Sequence, residues 1–231
     1  TASRNNTVKH LIYKLLTRNV EARPHWGILT GIRPVKVAKM LLDKGLGQEE
    51  AIEVLRDSYL LRPDKARLIT EVSRTKRPIL DSLAKNSYSI YIGIPFCPTR
   101  CFYCSFPTLI ANRNIHVMEG YVDSLIEELE DTKAMLEGWH INTVYIGGGT
   151  PTSLPKELMG RLLDYINVNF KGFNELTVEA GRPDTIDRAY LELLKNKGVN
   201  RISINPQTMD DETLVLIGRK HTAKDIVEAY R

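Results

Sequence analysis

The sequence predicts an α/β protein, with a parallel sheet joined by helical crossovers and preceded by a helical region. Three observations carry this. From about Ser87 onward, short apolar runs rich in β-branched residues alternate with amphipathic stretches, in the order strand, loop, helix. The later strands recur about every 25 to 32 residues, the length of a βα unit. Before residue 85 only helical periodicity is found. The expected division is therefore a helical region, 1–85, and a βα region, 86–231.

Asn5 to Leu16 places Val8, Leu11, Ile12, Leu15 and Leu16 on one helical stripe. Pro34 suits the first turn of a helix through Leu42, stopped by Gly45. Glu49 to Tyr59 and Pro63 to about Thr75 read as two more helices. Lys65, Arg67, Arg74, Lys76 and Arg77 form either a binding face or an ordinary solvated one. In the second region the expected strands are Ser89–Ile94, Thr143–Ile146, Leu176–Val178 and Arg201–Ile204. The expected helices are Ile115–Glu137, Lys156–Val168, Ile186–Asn196 and Asp210–Ile217. Each crossover should be right-handed, and every βα loop should open at one sheet edge. Four parallel strands leave an open edge. The chain starts at Thr1 and stops at Arg231 inside what reads as another helix, so it reads as a fragment of a longer chain.

Composition narrows the function classes. The 231 residues are 42% apolar and 26% charged, an ordinary globular balance. A net charge of +4 is too mild to argue for nucleic acid. No run approaches the length of a membrane span and no signal peptide opens the chain, so a cytoplasmic protein is expected. The oligomeric state is not set by the sequence. The three cysteines, Cys97, Cys101 and Cys104, lie within eight residues. An odd, tightly packed set makes a poor disulfide framework and points to a reducing compartment and a metal centre.

Cys97-Pro-Thr-Arg-Cys101-Phe-Tyr-Cys104 has the spacing C-x3-C-x2-C directly after the first strand. Three thiolates on one short loop can hold an iron–sulfur cluster with one iron left open. Zinc completed by a distant histidine and three buried thiols are the alternatives. Gly147-Gly148-Gly149-Thr150-Pro151 ends the second strand; it is either a tight turn or a loop that lets a ligand approach the backbone. Glu179 ends the third strand, where a carboxylate can accept from an ammonium group or form a surface ion pair. Gln207 follows the fourth strand. Arg219 comes twelve residues later, within Gly218-Arg-Lys-His221, where it also reads as a cation beside a helix C-terminus. Loop packing accounts for His221 as well as function does. Tyr91, six residues before Cys97, equally reads as strand packing.

Together these segments resemble the radical S-adenosylmethionine (SAM) superfamily over roughly Ser89 to Lys224. Within it they resemble the branch of oxygen-independent coproporphyrinogen III oxidases. The shared segments are C-x3-C-x2-C, GGGTP, the strand-three glutamate, Arg201-Ile-Ser-Ile-Asn-Pro-Gln207 and Gly-Arg-x-His. The resemblance implies the first half of a partial (β/α) barrel, truncated after about four βα units, with a [4Fe–4S] cluster on Cys97, Cys101 and Cys104. SAM would chelate the open iron. Gly148, Gly149, Thr150 and Glu179 would hold its methionine part, and Gln207 and Arg219 its ribose and carboxylate side. Tyr91 and Tyr103 would be its neighbours, the backbone of Tyr103 meeting the adenine. No side chain is assigned a catalytic role beyond this centre. The implied reaction is removal of a hydrogen from a propionate β-carbon and loss of CO2, turning coproporphyrinogen III into protoporphyrinogen IX during haem biosynthesis. A flavodoxin or ferredoxin would donate the electron. Arg100, Arg113, Arg182 and Lys220 are candidates by position for the substrate carboxylates.

The departures matter. Gly93 stands where the branch usually has histidine, Glu179-Ala-Gly-Arg-Pro-Asp replaces a Glu-x-Asn-Pro type of segment, and Asn205-Pro206 replaces Gly-x. With Thr30-Gly-Ile-Arg-Pro34, these resemble the HemZ-type coproporphyrinogen dehydrogenases. Two other readings stand beside the enzyme: a haem-binding chaperone on the same scaffold, and a non-catalytic electron-transfer or sensor protein.

Overall fold

The computed structural model describes residues 4–21, 23–31 and 33–231, so Ile32 of the Thr30–Pro34 segment lies outside the described residues. The chain divides into two compact units, Thr1–Leu83 and Ala84–Arg231.

The first unit holds α1 (Arg4–Leu16), α2 (Val35–Asp43), α3 (Gln48–Tyr59) and α4 (Pro63–Asp81). Ala38, Leu41, Ile52, Leu55, Leu61 and Ile69 form its core. The helices fall where periodicity puts them, with two differences. First, α4 does not end near Thr75 but continues to Asp81 with Pro78 inside it. A proline removes one helical N–H. The bonding resumes one turn on, where the Ser82 amide donates to the Pro78 carbonyl at 3.2 Å. Second, the apolar stripe of α1 is not core, since Leu11, Ile12, Leu15 and Leu16 are all exposed. The basic side chains of α4 are solvated or locally engaged: Arg77 pairs with Asp81 at 3.3 Å, and Lys65 lies 5.7 Å from the centre of the Trp26 ring.

The second unit is a four-stranded parallel sheet of β1 (Ser87–Ile94), β4 (His140–Gly148), β5 (Glu175–Glu179) and β6 (Arg201–Ser203), in that order. A two-stranded parallel ribbon, β2 (Phe96–Cys97) with β3 (Leu109–Ile110), brackets the cysteine loop. The crossovers are α5 (Ile115–Met135), α6 (Lys156–Asn169) and α7 (Arg188–Asn196), followed by α8 (Asp211–Leu216) and α9 (Ala223–Tyr230). Alternation along the strands sends Ile92, Ile94, Val144, Ile146, Leu176 and Val178 into one core with Met118, Val122, Met159, Leu163 and Leu194 of the helices. The opposite face carries Tyr91, Tyr145 and Glu179. Side-chain caps fix the helix starts: Asp187 accepts from the Tyr190 amide at 2.6 Å, and Asp210 accepts from the Thr213 amide at 2.8 Å. These caps begin α7 and α8 one or two residues later than the apolar pattern alone suggests.

Buried Tyr190 ties α7 to the loop before α6, donating from its hydroxyl to the Leu154 carbonyl at 3.0 Å. Tyr190→Phe keeps the packing but leaves that carbonyl short of a donor. A loss of about 1–3 kcal/mol in urea unfolding is expected.

Candidate cluster and cofactor site

The register aligns the strand ends. Ile94 pairs with Gly148, Ile146 with Val178, and Glu179 with Ser203. The loops after all four strands therefore converge on one edge, around a cavity of about 330 Å³. Cys97, Cys101, Tyr103 and Cys104 line it from the first loop, and Gly148, Gly149 and Thr150 from the second. Glu179 and Arg182 come from the third, and Asn205, Gln207 and Arg219 from the last. Residues up to 122 positions apart in the chain, Cys97 and Arg219, thus share one wall.

All three cysteines are free and partly buried. Cys97 stands on β2 and its Sγ lies 3.4 Å from Thr150 Oγ1. Burial pushes the Cys97 thiol up, opposed by the Thr150 hydroxyl and the charge of Arg182. The Cys104 amide donates to the Cys101 carbonyl at 3.1 Å, closing a tight turn, and the Phe102 amide donates to the Ile217 carbonyl at 3.2 Å. Among the described residues no three His, Cys, Asp or Glu side chains converge on one metal-sized point.

The glycine loop is shaped by the cysteine loop beside it. The Gly149 amide donates to the Ile94 carbonyl at 2.8 Å and the Thr150 amide to the Phe96 carbonyl at 2.7 Å. Gly148 sits at φ +107°, where L side chains are strained, and a Cβ there would stand 2.9 Å from the Ile94 nitrogen. A Cβ on Gly149 would stand 2.8 Å from the Phe96 carbonyl oxygen and 3.0 Å from Cys97 Sγ. Side chains at these two positions would close the gap between the loops.

Glu179 is held by a residue the sequence reading did not single out. Tyr145 on β4 donates its hydroxyl to Glu179 Oε1 at 2.5 Å. That bond, with burial, pushes the Tyr145 hydroxyl up to about 12, so it keeps its proton across the neutral range. Tyr91 is not among the residues that line the cavity, but its hydroxyl lies near Glu179: a Cβ on Gly147 would stand 3.0 Å from Tyr91 Oη and 3.1 Å from Glu179 Oε2. The Tyr91 ring stacks on Tyr145 with centroids 5.7 Å apart and planes 13° apart, on the sheet face that carries Glu179. Period-two alternation puts Tyr145 and Gly147 on one face, but only the β4–β5 register places Tyr145 beside Glu179.

Gln207 is exposed and adopts φ +65°. The left-handed region costs a non-glycine residue roughly 1–2 kcal/mol. Gln207→Gly should therefore leave stability unchanged or raise it by up to about 1 kcal/mol, while weakening binding of any ligand the amide holds. Urea unfolding and an equilibrium SAM titration on the same protein check both halves.

Arg219 reaches the Tyr103 hydroxyl with Nη2 at 3.4 Å. Its Nε and Nη1 are buried with no partner among the described residues. Arg219 lines the cavity, and a guanidinium with unpaired donors suits a ligand carboxylate. Of the four arginines and lysines expected to meet substrate carboxylates, Arg100 and Arg113 are exposed outside the cavity and Lys220 lines a separate groove. Arg182 lines the cavity but is already bonded to Asp184 and Thr99. His221 is buried away from the cavity. The free thiols, the glycine cradle and the orphaned guanidinium together fit a cluster and a zwitterionic ligand.

Residues 91–231 match the family model described as "Radical SAM superfamily", and the chain belongs to that superfamily. It is similar to the oxygen-independent coproporphyrinogen-III oxidase-like protein HemZ of Bacillus subtilis, with 39% identity over 97% of this chain and 46% of that protein. It is also 39% identical to the heme chaperone HemW of B. subtilis, over 62% of this chain and 38% of that one. Among solved structures, the coproporphyrinogen III oxidase HemN of Escherichia coli, described as a radical SAM enzyme, superposes with a TM-score of 0.56. That match has 30% identity over 62% of this chain and 33% of HemN. The chain spans less than half the length of each of these relatives.

Proposed function

We propose that this chain carries the cluster and SAM half of a radical SAM enzyme that decarboxylates coproporphyrinogen III without oxygen. The observation that carries the reading is the single cavity joining three free cysteines to the glycine loop, Glu179, Gln207 and Arg219. The likeness to HemZ along nearly the whole chain supports the substrate class.

Cys97, Cys101 and Cys104 would hold a [4Fe–4S] cluster, and Thr150 beside Cys97 would orient that ligand. The bound cluster and SAM would supply a carbon-centred radical able to take hydrogen from an unactivated C–H bond. The backbone at Gly148–Thr150 and the Glu179 carboxylate would receive the SAM ammonium. Tyr145 holds Glu179 in place through a proton it does not lose near neutral pH. Arg219 would meet the SAM carboxylate with its orphaned donors, and Gln207 the ribose. Tyr103 lines one side of the cavity. A flavodoxin or ferredoxin would supply the electron.

A haem-chaperone role is the second reading. One observation favours it: the 39% identity to HemW over 62% of this chain. Anaerobic incubation of the full-length protein with SAM, a reductant and coproporphyrinogen III separates the two. Protoporphyrinogen IX and released CO2 are expected. Stoichiometric haem binding with no porphyrinogen consumed would establish the chaperone instead.

A further inference from the structure

The segment Gly181-Arg-Pro-Asp184 after β5 is one of the departures from the branch pattern, and the cofactor site described above gives it no role. Arg182 is 2% exposed. A guanidinium does not lose its charge in a protein, so burying one demands a counter-charge and satisfied donors. Both are present. Nε and Nη2 donate to the two Asp184 oxygens at 2.9 Å each. Nη1 donates to Thr99 Oγ1 at 2.7 Å and lies 3.4 Å from the Thr99 carbonyl oxygen.

Thr99 sits midway between Cys97 and Cys101, and its hydroxyl donates onward to the Gly218 carbonyl at 3.3 Å. On the other side, the Arg182 carbonyl accepts from the Thr185 hydroxyl at 2.8 Å. Thr185 meets the Thr152 hydroxyl at 2.6 Å, just past the glycine loop. Behind the pair, the buried His221 ring places Nδ1 3.9 Å from Asp184 Oδ1. The guanidinium thus joins its own loop to the cysteine loop, and Thr99 and the Arg182 carbonyl extend the network to Gly218 and, through Thr185, to Thr152.

We propose that Arg182, clamped by Asp184, is a positioning residue that fixes the cysteine loop through Thr99 and does not bind a substrate carboxylate. A carboxylate is gripped by two parallel N–H groups on one edge of the fork. The Nε–Nη2 edge is taken by Asp184 and Nη1 is taken by Thr99, so no free edge faces the cavity. The inference rests on the reading of the three cysteines as cluster ligands and is independent of the substrate.

Two readouts on the full-length protein test it. The first is hydrogen exchange of residues 98–104 in cluster-free protein. The second is the change that SAM induces in the electron paramagnetic resonance spectrum of the reduced, reconstituted cluster. Arg182→Met fills similar space without a buried charge. It should speed exchange by roughly tenfold or more, as expected when local openings become easier, and should blunt the SAM-induced change. Thr99→Val should give a weaker form of both effects, and it decides the matter if Arg182→Met does not fold. Arg182→Lys should not restore either, because one ammonium cannot reproduce the fork. Wild-type exchange and SAM response in both variants, with a raised KM for coproporphyrinogen III in Arg182→Met, would overturn the proposal in favour of substrate binding. A wild-type protein whose cluster does not respond to SAM would overturn the cofactor reading, while the exchange comparison would still decide the clamp.

Discussion

Cys97→Ala, Cys101→Ala and Cys104→Ala should each leave a folded protein that no longer holds iron and sulfide. The thiols are partly buried and lie outside the apolar core, so each truncation should cost no more than about 1 kcal/mol in cluster-free protein. Cluster retention should fall far more. Three thiolates are the entire protein contribution to a site-differentiated cluster, and losing one leaves two irons without a protein ligand. Iron and sulfide analysis after anaerobic reconstitution, alongside a thermal melt of the cluster-free protein, separates the two effects. A variant that retains wild-type iron and sulfide would remove that cysteine from the ligand set.

Gly149→Ala should be among the most damaging single methyl groups in the second unit. The new Cβ meets the Phe96 and Ile94 carbonyl oxygens at 2.8 and 3.0 Å. Those carbonyls cannot easily yield, because each already accepts a hydrogen bond from the glycine loop. The loop must move off β2, which should cost about 1–3 kcal/mol in stability and tilt the cradle away from Cys97. SAM affinity should fall by roughly tenfold or more, since one displaced hydrogen bond is worth on the order of 1–3 kcal/mol. Gly120→Ala is the control. That glycine lies in α5 with nothing within 4 Å of its added methyl, so the change should stabilise by about 0.5–1 kcal/mol. Equal effects of the two substitutions on SAM binding would contradict the account of the glycine loop.

What was legible in the sequence followed from local rules. The long helices, the four parallel strands and the sharing of one edge by their loops came from periodicity and from the geometry of βα units. The ribbon of β2 and β3 was not legible, because two residues per strand carry no alternation and their pairing spans the cysteine loop. The helix expected to end near Thr75 runs on to Asp81, because Pro78 removes only one helical N–H. The stripe on α1 was legible as a helix, but periodicity does not say whether an apolar face is covered. At the site, the cysteines and glycines announced themselves by spacing. Tyr145 and the Arg182–Asp184 pair did not, because their roles arise from cross-strand register and from a contact between loops 83 residues apart. Tyr91 precedes the cysteine loop by six residues, and strand alternation stacks it on Tyr145, on the sheet face that carries Glu179.

Reductive cleavage of SAM by the anaerobically reconstituted full-length protein tests the central claim most directly. The account predicts about four irons and four sulfides per chain, with methionine released only when both reductant and SAM are present. Stoichiometric zinc without sulfide in protein purified anaerobically, or a complete cluster that leaves SAM intact under reduction, would contradict it.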